Sequence, residues 1–379
     1  MRFILILLSL GVFIGCTGQP KKKTDHSSWA HKMNKTADSF RELFPYIYNE
    51  EKFENKKEKA VIAKKIQNFH DNIHSISPKQ AKALLGDDPY LTSSIASLQE
   101  MTTRSKHSFD KGDLETARIL LKATTNTCFK CHTRQNLGPQ NVVWKNFQLD
   151  QLDISALEKA HILVSLRQYD FAKKQLMSFL ENKEIDKEFD LFYENALHYY
   201  LMISLRAQND LTPSLKFVRN KINNPIIPTR MHYTLKHWEK DLLYWTKNKN
   251  NIRVSLNAAH KALKRNSKSN SERHLINDLM AGIILHQYLM SEKSQIQKAK
   301  AYRLLGQVYE ELILAGFWDL PEIYFEKCIN YAPKSKIAKS CFNKLKDNVV
   351  LGYSGSRGTL IPQQEYSRLE KLRIKAGYK

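Results

Sequence analysis

The 379-residue chain contains few of the residues that interrupt helices, with only 13 glycines and 11 prolines. Lysine and leucine are its most frequent residues. These proportions indicate a mostly helical protein with few β-strands. The sequence therefore predicts an all-α fold.

Long apolar runs are also missing, except at the start of the chain. Residues 3–14 are mostly apolar and follow Arg2, but a helix needs roughly 20 apolar residues to cross a bilayer. The pattern is typical of an export signal. Its end resembles a bacterial lipobox, which implies a signal over residues 1–16, lipidation of Cys16 and a flexible tether over residues 17–28. The alternative is an ordinary signal peptide cut near Gly18.

Acidic residues are scarce relative to basic ones. The chain has 38 Asp and Glu against 60 Lys and Arg, which gives a formal net charge of +22. Such a charge attracts anionic partners. Because the lysines are spread along the predicted helices, and an exported protein rarely meets nucleic acid, we predict solvated helix faces and no nucleic-acid binding.

Cysteine is rare as well, with five residues in the chain. Two of them, Cys128 and Cys131, are three positions apart and are followed directly by His132. Cys-x-x-Cys-His is the spacing of c-type haem attachment. The two thiols lie on one side of a helical turn and add to the two haem vinyl groups, and the imidazole ligates the iron. The motif predicts one covalent haem c.

Two other kinds of site use the Cys-x-x-Cys spacing. In a thioredoxin-like redox pair the motif opens a helix after a strand, whereas here it closes a predicted helix. A zinc site needs a second Cys or His pair, and none lies nearby in the sequence. Haem attachment is therefore the favoured interpretation.

Apolar residues spaced by three and four positions predict four helices before the end of the motif. Asp113 is the expected N-cap of the fourth helix, and Gly112 the expected C-cap of the third. Four amphipathic helices with short loops predict an up-and-down bundle. Their apolar faces contain Met33, Ala37, Phe40, Phe44 and Ile47; Ile62, Ile66, Phe69 and Ile73; Leu91, Ile95, Leu98, Met101 and Thr102; and Ala117, Leu120 and Leu121.

A four-helix bundle closed by Cys-x-x-Cys-His resembles the cytochrome c′ and class II cytochrome c group. The resemblance covers residues 29–134, and the haem pentapeptide is the motif that carries it. It implies that Cys128 and Cys131 are the thioether attachment points and that His132 is the proximal ligand of the haem iron.

The second axial position of the iron has several candidates. In an up-and-down bundle, the end of the fourth helix lies beside the start of the first and the end of the second. His31 and Met33 belong to the former, and His70 and His74 to the latter. Met33 continues the apolar face, and low-spin members of the resembling group take a Met there. We favour His74 and Met33 equally, and a vacant position remains the third alternative.

Beyond a predicted linker over residues 135–153, helical patterns recur in pairs over residues 154–346. The clearest pair resembles the tetratricopeptide repeat, and weaker copies precede it. Such repeats present a groove to a protein partner; a generic helical bundle is the alternative. Residues 347–379 predict a Gly-rich loop and a C-terminal capping helix. The helix pair that resembles the tetratricopeptide repeat contains Tyr302, Leu305, Gly306, Tyr309, Phe325, Cys328 and Pro333.

The two remaining cysteines, Cys328 and Cys341, are left over in a compartment that permits disulfides. A bridge between them is the favoured prediction, and two buried thiols are the alternative.

No catalytic constellation is found in the sequence. A nucleophile elbow and a zinc-protease motif are missing, and the Gly-rich residues 352–359 lack the ending of a P-loop. We therefore expect a periplasmic, lipid-anchored electron-transfer protein that is not an enzyme. It docks a redox partner, and its positive net charge favours an acidic one. The membrane is contacted only through the anchor. A haem-based gas or redox sensor and a non-redox repeat scaffold are the alternatives, and peroxidase-type activity stays open.

Overall fold

The computed structural model describes residues 26–86, 88–134, 149, 152–182, 190–225, 227–265, 274–312, 317, 319–356 and 358–378. The predicted signal, Cys16 and most of the predicted tether and linker lie outside these residues. Helices make up nearly all of the regular structure in this part of the chain, and the strands are a single two-residue pair. The all-α prediction is confirmed.

Seven helices precede the end of the haem motif. Two long helices, α6 and α7, form a hairpin at Gly112, which has a left-handed φ of 86° that favours glycine. The side chain of Asp113 accepts a hydrogen bond from the N–H of Thr116 and caps α7. Both predicted caps are confirmed. The seven helices are α1 (His26–Arg41), α2 (Phe44–Ile47), α3 (Glu50–Glu54), α4 (Lys59–His74), α5 (Pro78–Leu85), α6 (Pro89–Lys111) and α7 (Leu114–His132).

Three details of this region differ from the sequence prediction. The first predicted helix is divided into α1 and α2, because Pro45 starts a new helix. A predicted turn contains α3, whose N-cap Asn49 accepts a hydrogen bond from the N–H of Lys52. Ser77 likewise caps α5, with Pro78 in its first turn, where a proline has no hydrogen bond to lose. The same residues that end one helix therefore begin another.

Eleven further helices follow in the described ranges, together with a π-helical turn (Ile203–Ala207) and a 3₁₀ turn (Lys249–Asn251). The strands Ser354–Gly355 and Gly358–Thr359 pair antiparallel before the last helix. The helices are α8 (Ala156–Ser165), α9 (Tyr169–Glu181), α10 (Asp190–Met202), α11 (Leu211–Ile222), α12 (Thr229–Asn248), α13 (Leu256–Lys264), α14 (Leu275–Leu289), α15 (Gln295–Glu311), α16 (Leu320–Tyr331), α17 (Lys336–Gly352) and α18 (Gln363–Ala376).

Most helices pack on a helix that follows them closely along the chain. Helix α1 packs on α4, α4 on α6, α6 on α7 and α7 on α8, and later helices continue this order. The packing of α15 on α16 is closest at Gly306, where an added Cβ would collide with the ring of Phe325. Helix α16 also packs on α6. This return contact brings the late helices against the region of the haem motif.

The described residues contain no helix that combines the length and the apolar character needed to span a bilayer.

Candidate functional site

The Cys-x-x-Cys-His motif forms the last turns of α7, as the sequence predicted. The helix ends at His132, and Thr133 caps it: the N–H and the hydroxyl of Thr133 both bond to the carbonyl oxygen of Phe129. Cys128 and Cys131 are half-buried, and neither is in a disulfide. Since residues three positions apart lie on one side of a helix, the two thiols are available to one ligand.

His132 is buried, with only 8% of its surface exposed. Its Nδ1 atom lies 3.3 Å from the carbonyl oxygen of Val164 on α8. Burial and the nearby Arg167 lower the pKa of His132 to about 3, so the imidazole is neutral. A neutral ring that donates from Nδ1 to a carbonyl keeps a lone pair on Nε2, which is the form in which histidine binds a metal.

The electrostatics of the two thiols separate the alternatives for this motif. Burial, and secondarily the neighbouring Cys131, raises the pKa of Cys128 to about 12. Burial also raises the pKa of Cys131. A thioredoxin-like pair needs the opposite shift, because its chemistry depends on a stabilised thiolate. The surroundings of both cysteines thus favour the thiol over the thiolate.

The donor set fits covalent haem better than a bare metal ion. A structural zinc site takes four protein ligands. Throughout the described ranges, no three His, Cys, Asp or Glu side chains converge in a way that could hold a metal ion. Haem supplies four nitrogen ligands itself, so a protein needs only attachment points and one or two axial donors. Cys128, Cys131 and His132 meet that requirement.

Aromatic side chains line one side of the motif. The ring of His161, on α8, stacks on Phe129 with centroids 4.4 Å apart, and Tyr199, on α10, packs edge-on against both rings. Burial lowers the pKa of His161 to about 4. Its Nδ1 lies 3.3 Å from Oδ1 of Asn126, and its buried Nε2 has no hydrogen-bond partner in the part of the chain that the structure describes. Sequence analysis missed this histidine, because its position on α8 carries no local signal.

Polar contacts connect the motif to later helices. Lys130 forms a 2.7 Å ion pair with Asp319, just before α16. The hydroxyl of Tyr169, on α9, donates to the carbonyl oxygen of His132 at 3.0 Å. Arg134 forms an ion pair with Asp88. The motif therefore lies where the first seven helices meet the later ones.

The candidates for the second axial position lie in different surroundings. His74 is exposed, and its Nε2 lies 3.2 Å from the carbonyl oxygen of Gln99 and 3.0 Å from Oγ1 of Thr103, both on α6. Its ring stacks on that of His70 at 4.1 Å. Met33 is half-buried and packs against the core. Of the described histidines, His161 is the one in ring contact with a residue of the motif.

The predicted disulfide lies on two later helices. A disulfide joins Cys328 on α16 to Cys341 on α17, with their Cα atoms 6.3 Å apart and both side chains fully buried. Cys16, the predicted lipidation site, lies outside the described residues.

Comparison with known proteins yields no relative: no family model matches the chain, and neither a curated protein nor a solved structure is significantly similar to it. The site is therefore interpreted from its own chemistry.

Proposed function

We propose that this chain is an exported, lipid-anchored c-type cytochrome of the periplasm that transfers one electron at a time. One haem c is bound covalently through Cys128 and Cys131, with His132 as the proximal ligand of the iron. One observation carries the proposal: two thiols that form no disulfide lie in the last turns of α7 beside a buried imidazole whose Nδ1 is held by the Val164 carbonyl.

Haem, when bound, supplies a one-electron couple, and the chain sets its surroundings. The Val164 carbonyl orients the imidazole of His132, and such contacts fix the ring and increase its basicity toward the iron. Phe129, His161 and Tyr199 limit access of water from their side. Exclusion of water and second-shell hydrogen bonds are two of the means by which a protein tunes the reduction potential of a haem.

The second axial ligand is proposed to be one of three residues. His74 and Met33 follow from the geometry of an up-and-down bundle, and the resemblance to class II cytochromes adds support for Met33. His161 follows from the structure, because its buried Nε2 has no hydrogen bond in the described ranges and its ring contacts the motif.

The architecture proposed for this function has two parts. Residues 29–134 act as a four-helix bundle like that of cytochrome c′, and residues 154–346 act as tetratricopeptide-like repeats that dock a redox protein. The formal charge of +22 favours an acidic partner and faster encounter with it. Nucleic acid is not a proposed ligand, and Cys16 provides the membrane anchor.

The test is a visible spectrum of the full chain produced together with haem-maturation proteins. We expect haem that survives denaturation in the wild type and no covalent haem in a C128S/C131S variant. The matched control is C328S/C341S, which removes the two disulfide cysteines, leaves the motif intact and is expected to keep the haem. Wild-type protein without covalent haem would disprove the cytochrome proposal.

The same sample separates electron transfer from sensing. If the spectrum of the reduced protein is unchanged under carbon monoxide, the iron has two protein ligands and relays electrons. A carbon monoxide shift would identify an open position and favour a gas sensor.

A further inference from the structure

The turn between α8 and α9 contacts the histidine of the motif through two of its residues. The carbonyl oxygen of Val164 lies 3.3 Å from Nδ1 of His132, and the hydroxyl of Tyr169 donates to the carbonyl oxygen of His132 at 3.0 Å. One contact fixes the imidazole, and the other fixes the backbone that carries it. Arg167 lies between Val164 and Tyr169 in the chain, so its backbone is held close to His132.

The hydrogen bonds of this turn define its geometry. The N–H of Gln168 donates to the carbonyl oxygen of Leu163 at 2.7 Å, and the N–H of Arg167 donates to that of Val164 at 2.9 Å. These two bonds are those of a Schellman motif, which ends a helix with a left-handed residue. The Val164 carbonyl therefore accepts from both Arg167 and His132, and a single oxygen atom connects the two residues.

Arg167 occupies the position at which a Schellman motif usually has glycine. Its φ is 57°, in the left-handed region where a side chain is strained. Asn209 and Lys334 have similar φ values of 58° and 55°, so the backbone alone does not distinguish Arg167. Its distinction is the contact of its turn with His132. Strained residues of this kind cluster at functional sites.

The positive charge of Arg167 acts on the groups around the motif. Burial is the main cause of the low pKa of His132, and the guanidinium of Arg167 lowers it further. Burial raises the pKa of Cys131, and there the same charge opposes the rise. Tyr169 behaves like Cys131: burial raises its pKa, and Arg167 opposes the rise. One guanidinium therefore acts on three groups of the site.

The surroundings of Arg167 strengthen this effect. Its side chain is half-buried. Near a protein surface the effective dielectric constant is about 20, compared with about 80 in water, so two charges at the same distance interact about four times more strongly. An arginine side chain is charged at every physiological pH. The motif is therefore exposed to a permanent positive field.

We propose that Arg167 raises the reduction potential of the haem site by holding a permanent positive charge beside the proximal histidine. The inference rests on the proposed function, because it needs haem attached at Cys128 and Cys131. One-electron reduction adds one negative charge to the site, and a fixed positive charge nearby stabilises the reduced form. The higher potential makes the site a better electron acceptor, so a weaker reductant is sufficient as the donor.

The backbone and the side chain of Arg167 make separate contributions. Its N–H bonds to the Val164 carbonyl, and every residue except proline supplies such an N–H. Its guanidinium supplies the charge. A substitution of the side chain therefore removes the charge and keeps the hydrogen bond beside His132. Glycine also relieves the left-handed strain.

The experiment is a potentiometric titration of the haem-loaded full chain, followed by its visible spectrum. We expect R167Q and R167G to have a lower potential than the wild type, and R167K to have a potential close to it. The matched control is K334G. Lys334 is an exposed cation with a similar left-handed φ, and it contacts Lys375 and Gly377, so K334G should keep the wild-type potential.

Urea unfolding of the same variants separates the charge from the fold. We expect R167G and K334G to be at least as stable as the wild type, because glycine adopts a left-handed φ without strain. A lower potential in R167G at unchanged or higher stability then results from the lost charge and not from a damaged turn.

Two results would overturn this inference alone. One is covalent haem with equal potentials in the wild type, R167Q and R167G. The other is an R167K protein with the lowered potential of R167Q, because lysine keeps the positive charge. Wild-type protein without covalent haem would instead disprove the proposed function, and this inference would fail with it. Haem that survives denaturation of the wild type thus distinguishes the two failures.

Discussion

The imidazole of His161 lies flat on the phenyl ring of Phe129, with 4.4 Å between centroids and 23° between ring planes. Phe129 is inside the Cys-x-x-Cys spacing, whereas His161 belongs to the next helix. The histidine is thus fixed beside the haem motif by a residue of the motif itself. This relationship makes it the first of the three axial candidates to test.

We expect His161→Phe to open an axial position in the haem-loaded protein, because phenylalanine keeps the stacking and removes the nitrogen donor. The measurement is the carbon monoxide difference spectrum of the reduced protein, compared with that of the wild type. The matched variants are His74→Phe and Met33→Leu, which we expect to leave the spectrum unchanged. Opening by either of these, and not by His161→Phe, would transfer the assignment to that residue.

A second prediction concerns the contact between α15 and α16. In Gly306→Ala, the new methyl group meets the ring of Phe325, so the helices must separate. Overpacking of this kind costs about 1–3 kcal/mol. Urea unfolding should show this loss of stability. Gly352→Ala, at the end of α17, is the matched control: a Cβ at Gly352 meets nothing within 4 Å, and alanine is the better helix former, so its stability should be at least that of the wild type.

The disulfide of α16 and α17 gives a third prediction. The bond closes a short loop, with a sequence separation of 13 residues. Removal of a crosslink over a loop of this size lowers the free energy of unfolding by about 3 kcal/mol in the chain-entropy model. Urea unfolding of C328S/C341S should show that loss. Dithiothreitol should lower the stability of the wild type by a similar amount and leave the double variant unchanged, and an equal effect on both proteins would contradict the prediction.

Acid should destabilise the protein through its buried histidines. His198 is 4% exposed, and burial lowers its pKa to about 4, whereas an unfolded histidine titrates near 6.5. Below about pH 6.5 the unfolded chain binds a proton that the folded chain does not bind until about pH 4. As the pH is lowered from about 6.5 to about 4, the free energy of unfolding should therefore decrease. For this residue the decrease is up to about 1.4 kcal/mol per pH unit.

The check is the slope of stability against pH in His198→Gln, which should be shallower than in the wild type over the same window. His107→Gln, at an exposed position, is the control and should keep the wild-type slope. Parallel slopes for wild type and His198→Gln would show that His198 does not titrate as its burial indicates.

Local signals in the sequence were sufficient for the hairpin that carries the motif. Gly112 and Asp113 mark its turn by their own chemistry, and both caps were predicted correctly. The short helices α3 and α5 were missed, because Asn49 and Ser77 were interpreted as turn or stop residues although each caps a new helix. Such residues serve both purposes, and only the following packing decides between them.

Sequence patterns could not predict which residues surround the motif. The contact between Arg134 and His286 joins residues 152 positions apart, and nothing in either local sequence indicates the other. From the sequence alone, the position of His161 on its helix is that of a half-buried surface residue. Its role depends on contacts with α7 and α10, which the sequence does not show. Periodicity predicts which face of a helix is buried, but the identity of the element that buries it depends on tertiary packing.

The ion pair between Lys130 and Asp319 also bears on the order in which the protein is assembled. Its two residues are 189 positions apart, and one of them lies within the haem motif. If the chain is exported and loaded with haem as proposed, the cysteines emerge long before the segment that packs against them from this side. A maturation apparatus would then meet an open attachment site, which the last helices close afterwards.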